Sequence, residues 1–128
     1  MNFYQQEIHR ISKICYKNES QIKTVIRTKK FIETNFEQEL NLDVLSDAQF
    51  TSKFHLLRLF KKYYGMTPIQ YLIDRRIEKS KEYLQNGMPV TETCFAIGFE
   101  SPSSFSTLFK NKIGIAPVEF QKRAIFAK

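Results

Sequence analysis

Apolar residues recur at helical spacing along most of the chain, at intervals of three and four positions. The first stripe of this kind consists of Tyr4, Ile8, Ile11 and Ile14 or Cys15. It predicts a first helix that ends near residues 17–19, with Ser20 capping the helix that follows. Strand signals are scarce, because no sustained alternation of apolar and polar residues occurs. The predicted fold class is therefore all-α.

Three further helices can be placed before residue 88. The second helix carries Ile22, Val25, Ile26, Ile32 and Phe36 and ends in the polar run 37–39. Asn41 is a predicted N-cap for a short helix that contains Leu42, Leu45 and Ala48. A longer helix runs from about Pro68 to Gln85, where Asn86-Gly87 ends it, and at 1.5 Å per residue it is roughly 27 Å long. One face of it carries Ile69, Leu72, Ile73, Ile77 and Leu84.

An internal repeat appears when the chain is compared with itself at an offset of 49 residues. Residues 50–71 and 99–120 share seven identities in 22 pairs. These pairs are Phe50 with Phe99, Ser52 with Ser101, Leu59-Phe60-Lys61 with Leu108-Phe109-Lys110, Gly65 with Gly114 and Pro68 with Pro117. Each copy predicts a short helix, a tight turn, a Ser-capped second helix, a Gly that ends it and a Pro that opens the next helix.

A short helix followed by a turn and a longer capped helix is the plan of the helix-turn-helix, whose second helix enters the major groove of DNA. The predicted organisation is an N-terminal helical extension (1–20), a first helix-turn-helix subdomain (21–66), a linker helix (67–87) and a second subdomain (88–128). Two copies imply two groove contacts. Successive major-groove faces lie about 34 Å apart, so a linker of about 27 Å predicts bent DNA if it sets the separation.

Composition narrows the class of partner. The 128 residues carry a formal net charge of +7 and are 42% hydrophobic, which indicates a folded domain with affinity for a polyanion, nucleic acid first of all. Cys15 and Cys94 lie far apart and outside any metal-ligand spacing, so neither a disulfide scaffold nor a zinc finger is indicated. No signal peptide or membrane span is present in the pattern. We therefore expect a soluble, cytoplasmic protein.

Enzymatic motifs are absent from the sequence. The four glycines form no phosphate-binding loop, and neither Cys nor His has the companions of a nucleophilic relay. No metal or cofactor is predicted, and the chain is not expected to be an enzyme.

Three stretches resemble the AraC/XylS family of bacterial transcription regulators. They are Ser52–Lys62, Gly65–Tyr71 and the second-copy residues Ile97–Ser101, Phe105, Leu108–Lys110 and Gly114–Pro117. The resemblance covers about residues 21–124. It implies two helix-turn-helix units on a linker helix, sequence-specific binding to double-stranded promoter DNA, and control of transcription, commonly activation through contact with RNA polymerase.

The first predicted recognition helix offers Lys53, Phe54, Leu57 and Arg58 as base contacts. The guanidinium of Arg58 can donate to O6 and N7 of one guanine, and the resemblance places a base-contacting arginine at this position. A surface salt bridge is the alternative role for Arg58. Phe54 is expected either on a thymine methyl group or in the core under the first helix.

The second predicted recognition helix has different chemistry, because its candidates are Pro102, Ser103, Ser106 and Thr107. Hydroxyl groups bond several bases or a phosphate, so we expect positioning and shape readout here. Thr107 stands where the repeat places Arg58, so the first half-site is expected to be the more stringent.

Candidate phosphate contacts lie around both helices. They are Ser52, His55, Lys61, Lys62, Ser101, Lys110 and Lys112. For His55, a packed or capping role is equally open. Arg75 and Arg76 are either further phosphate contacts or, for Arg76, an anchor of the linker helix to neighbouring residues or a partner helix.

Regulation is predicted only in outline. About 20 residues precede the resemblance, too few for a ligand-binding barrel, so a complete protein of this length would be controlled by abundance or by a partner, whereas a truncated chain is the alternative. The stripe Tyr4, Ile8, Ile11 and Ile14 is either folded back on the domain or a dimer contact. We expect binding to DNA as a monomer. The competing function is a basic helical module that acts on RNA polymerase or another regulator without its own operator.

Overall fold

The computed structural model describes residues 2–127, and within this range the chain forms seven α-helices and no strand. The helices are α1 (Phe3–Asn35), α2 (Leu42–Ala48), α3 (Lys53–Tyr64), α4 (Pro68–Gln85), α5 (Val90–Ala96), α6 (Pro102–Ile113) and α7 (Pro117–Phe126). The all-α prediction is confirmed, as are the predicted extent of the linker helix, now α4, and the Asn41 cap of α2, whose side chain accepts from the backbone N–H of Val44.

The predicted break between the first two helices is wrong, because α1 is a single helix of 33 residues. Residues 3–35 contain neither Gly nor Pro, so no helix-breaking residue interrupts α1 near Ser20. Ser20 lies inside the helix rather than at a cap, and its carbonyl accepts a hydrogen bond from the Thr24 hydroxyl at 3.1 Å. A Ser is only mildly unfavourable in a helix interior, and the lysines and glutamates around it favour continuation.

The N-terminal segment of α1, residues 3–20, is not folded back on the domain. Its apolar side chains Tyr4, Ile8, Ile11 and Ile14 are all exposed. The folded-back interpretation of this stripe is therefore wrong, and the dimer contact stays a prediction.

The chain divides into two compact units. The first unit contains residues 2–31 and 41–68, and the second contains residues 32–40 and 69–127. The buried apolar residues of the first unit are Val25, Leu45, Leu56, Leu59 and Phe60. The buried cluster of the second unit consists of Ile77, Leu84, Cys94, Ile97, Phe105 and Phe109. Residues 32–40, which the pattern assigned to the first subdomain, belong to the second unit because Phe36 packs against this cluster.

Both copies of the helix-turn-helix show the predicted caps. The Ser52 hydroxyl accepts from the His55 N–H at 3.1 Å, and the Ser101 hydroxyl accepts from the Ser104 N–H at 3.4 Å. Gly65 and Gly114 end α3 and α6 in the left-handed conformation. The boundaries of both recognition helices are therefore determined by local chemistry, as the sequence predicted.

The turn of the helix-turn-helix differs between the two units by one residue. The first helices, α2 and α5, are related by an offset of 48 residues, whereas the capping serines and the second helices keep the offset of 49. The backbone bond from Thr51 N–H to Ser46 C=O therefore corresponds to that from Phe99 N–H to Cys94 C=O. The predicted pairing of Phe50 with Phe99 is wrong in three dimensions, because Phe50 takes the place of Gly98.

These two equivalent positions both have left-handed backbone. Gly98 has φ +96°, and a Cβ built there would lie 2.9 Å from Nη2 of Arg76 and 2.9 Å from the carbonyl oxygen of Glu37. Phe50 has φ +53° and a side chain that is 98% exposed. A bulky residue in this conformation is strained, so the first turn carries strain that the second avoids with glycine.

Candidate nucleic-acid interface

The helix α3 separates a buried face from a cationic outer face. Leu56, Leu59 and Phe60 are at most 5% exposed, at the i, i+3, i+4 spacing that predicted them as core. The exposed positions are Lys53, Phe54, Arg58, Lys61, Lys62 and, at the end of the helix, Tyr64, with His55 and Leu57 half-buried. Every predicted contact of the first recognition helix therefore reaches the surface of α3 at least in part.

Two alternatives left open by the sequence are resolved on α3. Phe54 is 69% exposed, so the interpretation that places it in the core is wrong. Arg58 forms no ion pair with any residue in 2–127, so the salt-bridge interpretation is also unsupported within that range. An exposed guanidinium with no protein partner keeps all its donors for a ligand.

Lys53 is partly engaged within the first unit. Its Nζ lies 3.7 Å from a carboxylate oxygen of Asp43 and 5.7 Å from the ring centroid of Phe54. An exposed ion pair of this length is worth little, so a DNA contact can replace it at small cost. The pair nevertheless holds the Lys53 side chain over the ring of Phe54.

The outer face of α6 is short and hydroxyl-rich. Pro102, Ser103 and Thr107 are exposed as predicted, whereas Ser106 is half-buried. The hydroxyl oxygens of Ser101 and Ser103 lie 2.8 Å apart and share a hydrogen bond. Ser104, which the sequence did not single out, is exposed and lines a shallow depression of about 350 Å³ with Ser103, Thr107 and Leu108. This surface offers weak, adaptable hydrogen bonding and no cation.

The four lysines among the candidate phosphate contacts fall into two groups. Lys61, Lys62 and Lys110 are exposed and make no ion pair among residues 2–127. Lys112 is different, because its Nζ lies 2.6 Å from a carboxylate oxygen of Asp74 on α4. Contact of Lys112 with a phosphate would require this pair to open.

One of the two arginines of α4 is engaged within the second unit. Arg76 donates from Nε to the Phe36 carbonyl at 2.7 Å and from Nη2 to the Gln38 carbonyl at 2.8 Å. Burial lowers the pKa of the Arg76 guanidinium, and the Glu37 carboxylate opposes that shift. Arg76 is therefore the anchor that the sequence left as an alternative to a phosphate contact. Arg75 lies 5.6 Å from the ring centroid of Tyr71.

One part of the surface was missed by the sequence. A groove of about 250 Å³ in the first unit is lined by Lys17 and Gln21 of α1 and by His55, Arg58, Leu59 and Lys62 of α3. The sequence could have indicated this groove, because residues 17, 21, 24 and 28 share one face of an unbroken α1. Thr28, on that same face, is fully buried.

Comparison with known proteins adds the family. The sequence profile of a helix-turn-helix domain, of the AraC type, matches residues 45–123, more than half of the chain. The chain belongs to the AraC-type helix-turn-helix family. The predicted resemblance is confirmed, and the two units described above are the two helix-turn-helix units of an AraC-type DNA-binding domain.

Two relatives show the range of proteins that carry this domain. The bifunctional transcriptional activator/DNA repair enzyme AdaA of Bacillus subtilis is 33% identical over 94 residues, which cover 73% of this chain and 44% of AdaA. The transcriptional activator AarP of Providencia stuartii is 35% identical over 88 residues, covering 68% of this chain and 65% of AarP. The chain thus spans less than two thirds of the length of either relative.

Solved structures share the fold. The C-terminal domain of AraT, a response regulator from Geobacillus stearothermophilus, superposes with a TM-score of 0.76 at 28% identity, covering 78% of this chain and 84% of that one. The DNA-binding domain of AdpA, solved in complex with a target DNA, gives a TM-score of 0.74 at 20% identity, with 77% and 90% covered.

Neither a metal-binding group nor a membrane-spanning helix is found in the described part of the AraC-type chain. Among residues 2–127, no group of three His, Cys, Asp or Glu side chains is placed to hold a metal ion. No helix in that range has both the length and the apolar character that a membrane crossing requires.

Proposed function

We propose that this protein is a sequence-specific, double-stranded DNA-binding regulator of transcription that places α3 and α6 in two adjacent major-groove segments. The observation that carries the proposal is the outer face of α3. It combines the exposed Arg58 guanidinium, the exposed ring of Phe54 and the unpaired lysines 61 and 62 on a helix whose ends are fixed by caps. Membership of the AraC-type family supports it.

In the proposed complex, α3 carries most of the base readout. Arg58 donates two hydrogen bonds to one guanine, and Phe54 packs on a thymine methyl group. Lys53 and Leu57 contact neighbouring base edges. Ser52, His55, Lys61 and Lys62 contact phosphates and fix the register of the helix on the duplex.

The helix α6 contributes positioning more than discrimination. Pro102, Ser103, Ser106 and Thr107 face the bases with hydroxyl and apolar groups that tolerate several sequences. Phosphate contact comes from Lys110 and from the start of α6 at Ser101, where the Ser103 N–H and the positive end of the helix dipole favour an anion. Lys112 joins them only when its pair with Asp74 opens.

A tandem of unlike recognition helices on one chain removes the need for a palindromic operator. We therefore propose that one monomer covers an asymmetric site of about 20 base pairs. The 18 residues of α4 measure about 27 Å along the helix axis, shorter than the spacing of about 34 Å between major-groove segments, so bent DNA is part of the proposal.

The biological role proposed is activation of promoters through contact with RNA polymerase, without catalytic activity and in the cytoplasm. The names of AdaA and AarP as activators support this sign of regulation. The DNA repair activity in the name of AdaA belongs to a protein of which this chain covers 44%.

The deciding experiment is selection of bound sequences from a random pool of duplexes by the purified chain. An asymmetric motif of about 20 base pairs, more strongly constrained in one half, is expected. Recovery of no motif, with only salt-sensitive general binding, contradicts the proposal and favours the basic module that acts on RNA polymerase or another regulator without its own operator. A palindromic motif bound by two chains contradicts the monomer and makes the exposed stripe Tyr4, Ile8, Ile11 and Ile14 the candidate dimer contact.

A further inference from the structure

The groove between α1 and the recognition helix α3 is rich in basic side chains. Four of its six lining residues are Lys17, His55, Arg58 and Lys62, and the other two are Gln21 and Leu59. The groove therefore brings a lysine 38 positions upstream of His55 to the side of the recognition helix.

Fixed contacts define the base of this groove. The Tyr63 hydroxyl donates to Oε1 of Gln21 at 2.9 Å, which ties α3 to α1 directly beneath Lys17 in the helical register. The Lys62 Nζ lies 5.0 Å from the ring centroid of the same tyrosine. Leu59 is 5% exposed and closes the floor. The groove is thus a built feature of the first unit rather than a chance approach of mobile side chains.

No anion within the described chain neutralises these cations. No carboxylate lines the groove, and among residues 2–127 neither Lys17, Arg58 nor Lys62 takes part in an ion pair. Like charges held together in this way repel one another, and a bound anion relieves that repulsion. The neighbouring lysine on α1, Lys23, shows the contrast, since it pairs with Glu19 at 3.3 Å.

We infer that this groove binds a phosphodiester of the DNA backbone beside the first half-site through Lys17 and Lys62, while the Arg58 guanidinium stays on its guanine, and that Lys17 is a DNA contact. The inference rests on the proposed function, because it takes α3 to lie in the major groove, whose rims are lines of phosphates. His55, Arg58 and Lys62 lie at i, i+3 and i+7 on the side of α3 that faces α1. A DNA strand that leaves the major groove beside α3 therefore passes between α1 and α3.

The consequence is a second role for α1. Beyond its packing at residues 25–32, α1 extends the protein surface along the DNA backbone by way of Lys17 and, one turn further out, Lys13, which is also exposed. The first half-site is then held by two helices, whereas the sequence pattern gave it only one.

The test compares Lys17→Gln with Lys23→Gln. Both substitutions remove one positive charge from α1 and preserve helix propensity, but only Lys17 lines the groove. We expect Lys17→Gln to weaken binding to the selected duplex about 3- to 10-fold and to lower the slope of log affinity against log salt by about 0.9, with Lys23→Gln close to wild type. Circular dichroism checks that both variants fold.

A second measurement locates the phosphate. In duplexes carrying one neutral methylphosphonate at a time, one position beside the first half-site should weaken wild-type binding and weaken Lys17→Gln binding less, because one of the partner charges is already absent. If no position shows this coupling, or if Lys17→Gln and Lys23→Gln have the same slope, the inference is wrong.

The outcomes separate this inference from the proposed function. If selection yields no motif, the proposed function fails. The slopes of log affinity against log salt for the two variants on an unselected duplex still show whether the groove binds a phosphate. If Lys17→Gln changes competition by polyglutamate and leaves all DNA binding unchanged, the groove takes a protein carboxylate and the phosphodiester assignment is overturned.

Discussion

The two recognition helices share their boundaries and differ in their surfaces. α3 and α6 are both 12 residues long, begin after a capping serine and end at a left-handed glycine. On α3 the exposed positions carry an arginine, an aromatic ring and lysines, whereas the corresponding part of α6 carries a proline, serines and a threonine. Capping and core positions therefore determine where a recognition helix lies, and the exposed positions between them determine how strictly it reads DNA.

The turns that precede α3 and α6 also differ, and here the second unit has the more favourable residue. The second turn has glycine at its left-handed position, closely packed against Arg76 and the carbonyl of Glu37, whereas the first has the exposed and strained Phe50. The unit with the stronger DNA-binding chemistry thus has the less favourable turn. Substitutions in both units test this comparison.

The largest effect is expected from Gly98→Ala, which should lower the free energy of unfolding by about 2 to 4 kcal/mol. The added Cβ meets strain at φ +96° and atoms of Arg76 and Glu37 at 2.9 Å. Chemical denaturation measures the loss. Alkylation of Cys94 reports on the second unit specifically, because burial raises the pKa of that thiol and keeps it unreactive while the unit is folded.

The matched control is Gly87→Ala, where φ is +91° and no atom lies within 4 Å of the new Cβ. It carries the backbone strain alone and should cost about 1 to 2 kcal/mol. Equal losses at the two positions would contradict the importance of the contact with Arg76.

The next effect concerns base readout. Arg58→Ala should cost about 1 to 3 kcal/mol of binding free energy on the selected site and relax the preference at one or two base pairs, and Thr107→Ala should cost less. Affinities on specific and scrambled duplexes measure both. If Arg58→Ala weakens both duplexes equally with unchanged folding, Arg58 is a backbone contact and the assignment of base readout is wrong.

Thr107→Arg extends this comparison, because it gives α6 a guanidinium at the position that corresponds to Arg58 on α3. Selection with this variant should return a motif with a guanine newly constrained in the weaker half. An unchanged motif would mean that position 107 does not face a base edge.

A smaller and symmetric effect is expected from the lysines that both helices share. Lys61→Ala and Lys110→Ala should each weaken all sequences alike and reduce the salt slope by about one unit, because both lysines are exposed and unpaired within residues 2–127. Lys62→Ala should behave in the same way. Titrations at several salt concentrations check this, and a loss of affinity confined to the specific duplex would contradict it.

The smallest effect is expected from Phe50→Gly. Relief of left-handed strain at φ +53° is partly offset by the greater freedom of glycine in the unfolded chain, so the gain in stability should be below about 1 kcal/mol. Thermal unfolding measures it. A marked loss of stability would show that the exposed ring of Phe50 makes a contact that outweighs the strain.

Features that depend on neighbouring residues could be predicted from the chain alone. Ser52, Ser101, Gly65 and Gly114 act within one helical turn of their own position, so their pattern predicted the ends of α3 and α6 and the repeat of the helix-turn-helix. The faces of α3 followed from the spacing of Leu56, Leu59 and Phe60. The continuity of α1 could also be predicted from neighbouring residues, since no Gly or Pro interrupts the helix. The interpretation of Ser20 as a helix cap was wrong.

Features that join distant segments depend on how the helices pack and could not be predicted from the pattern of residues. Arg76 binds carbonyls 38 and 40 positions away, which places residues 32–40 in the second unit. The groove brings Lys17 together with Lys62. The one-residue difference between the two turns could not be seen in the sequence, because Phe50 and Phe99 match by chance. Contacts of this kind leave no period in the sequence, because the side chains that meet are chosen by the packing of helices against one another and not by spacing along any one of them.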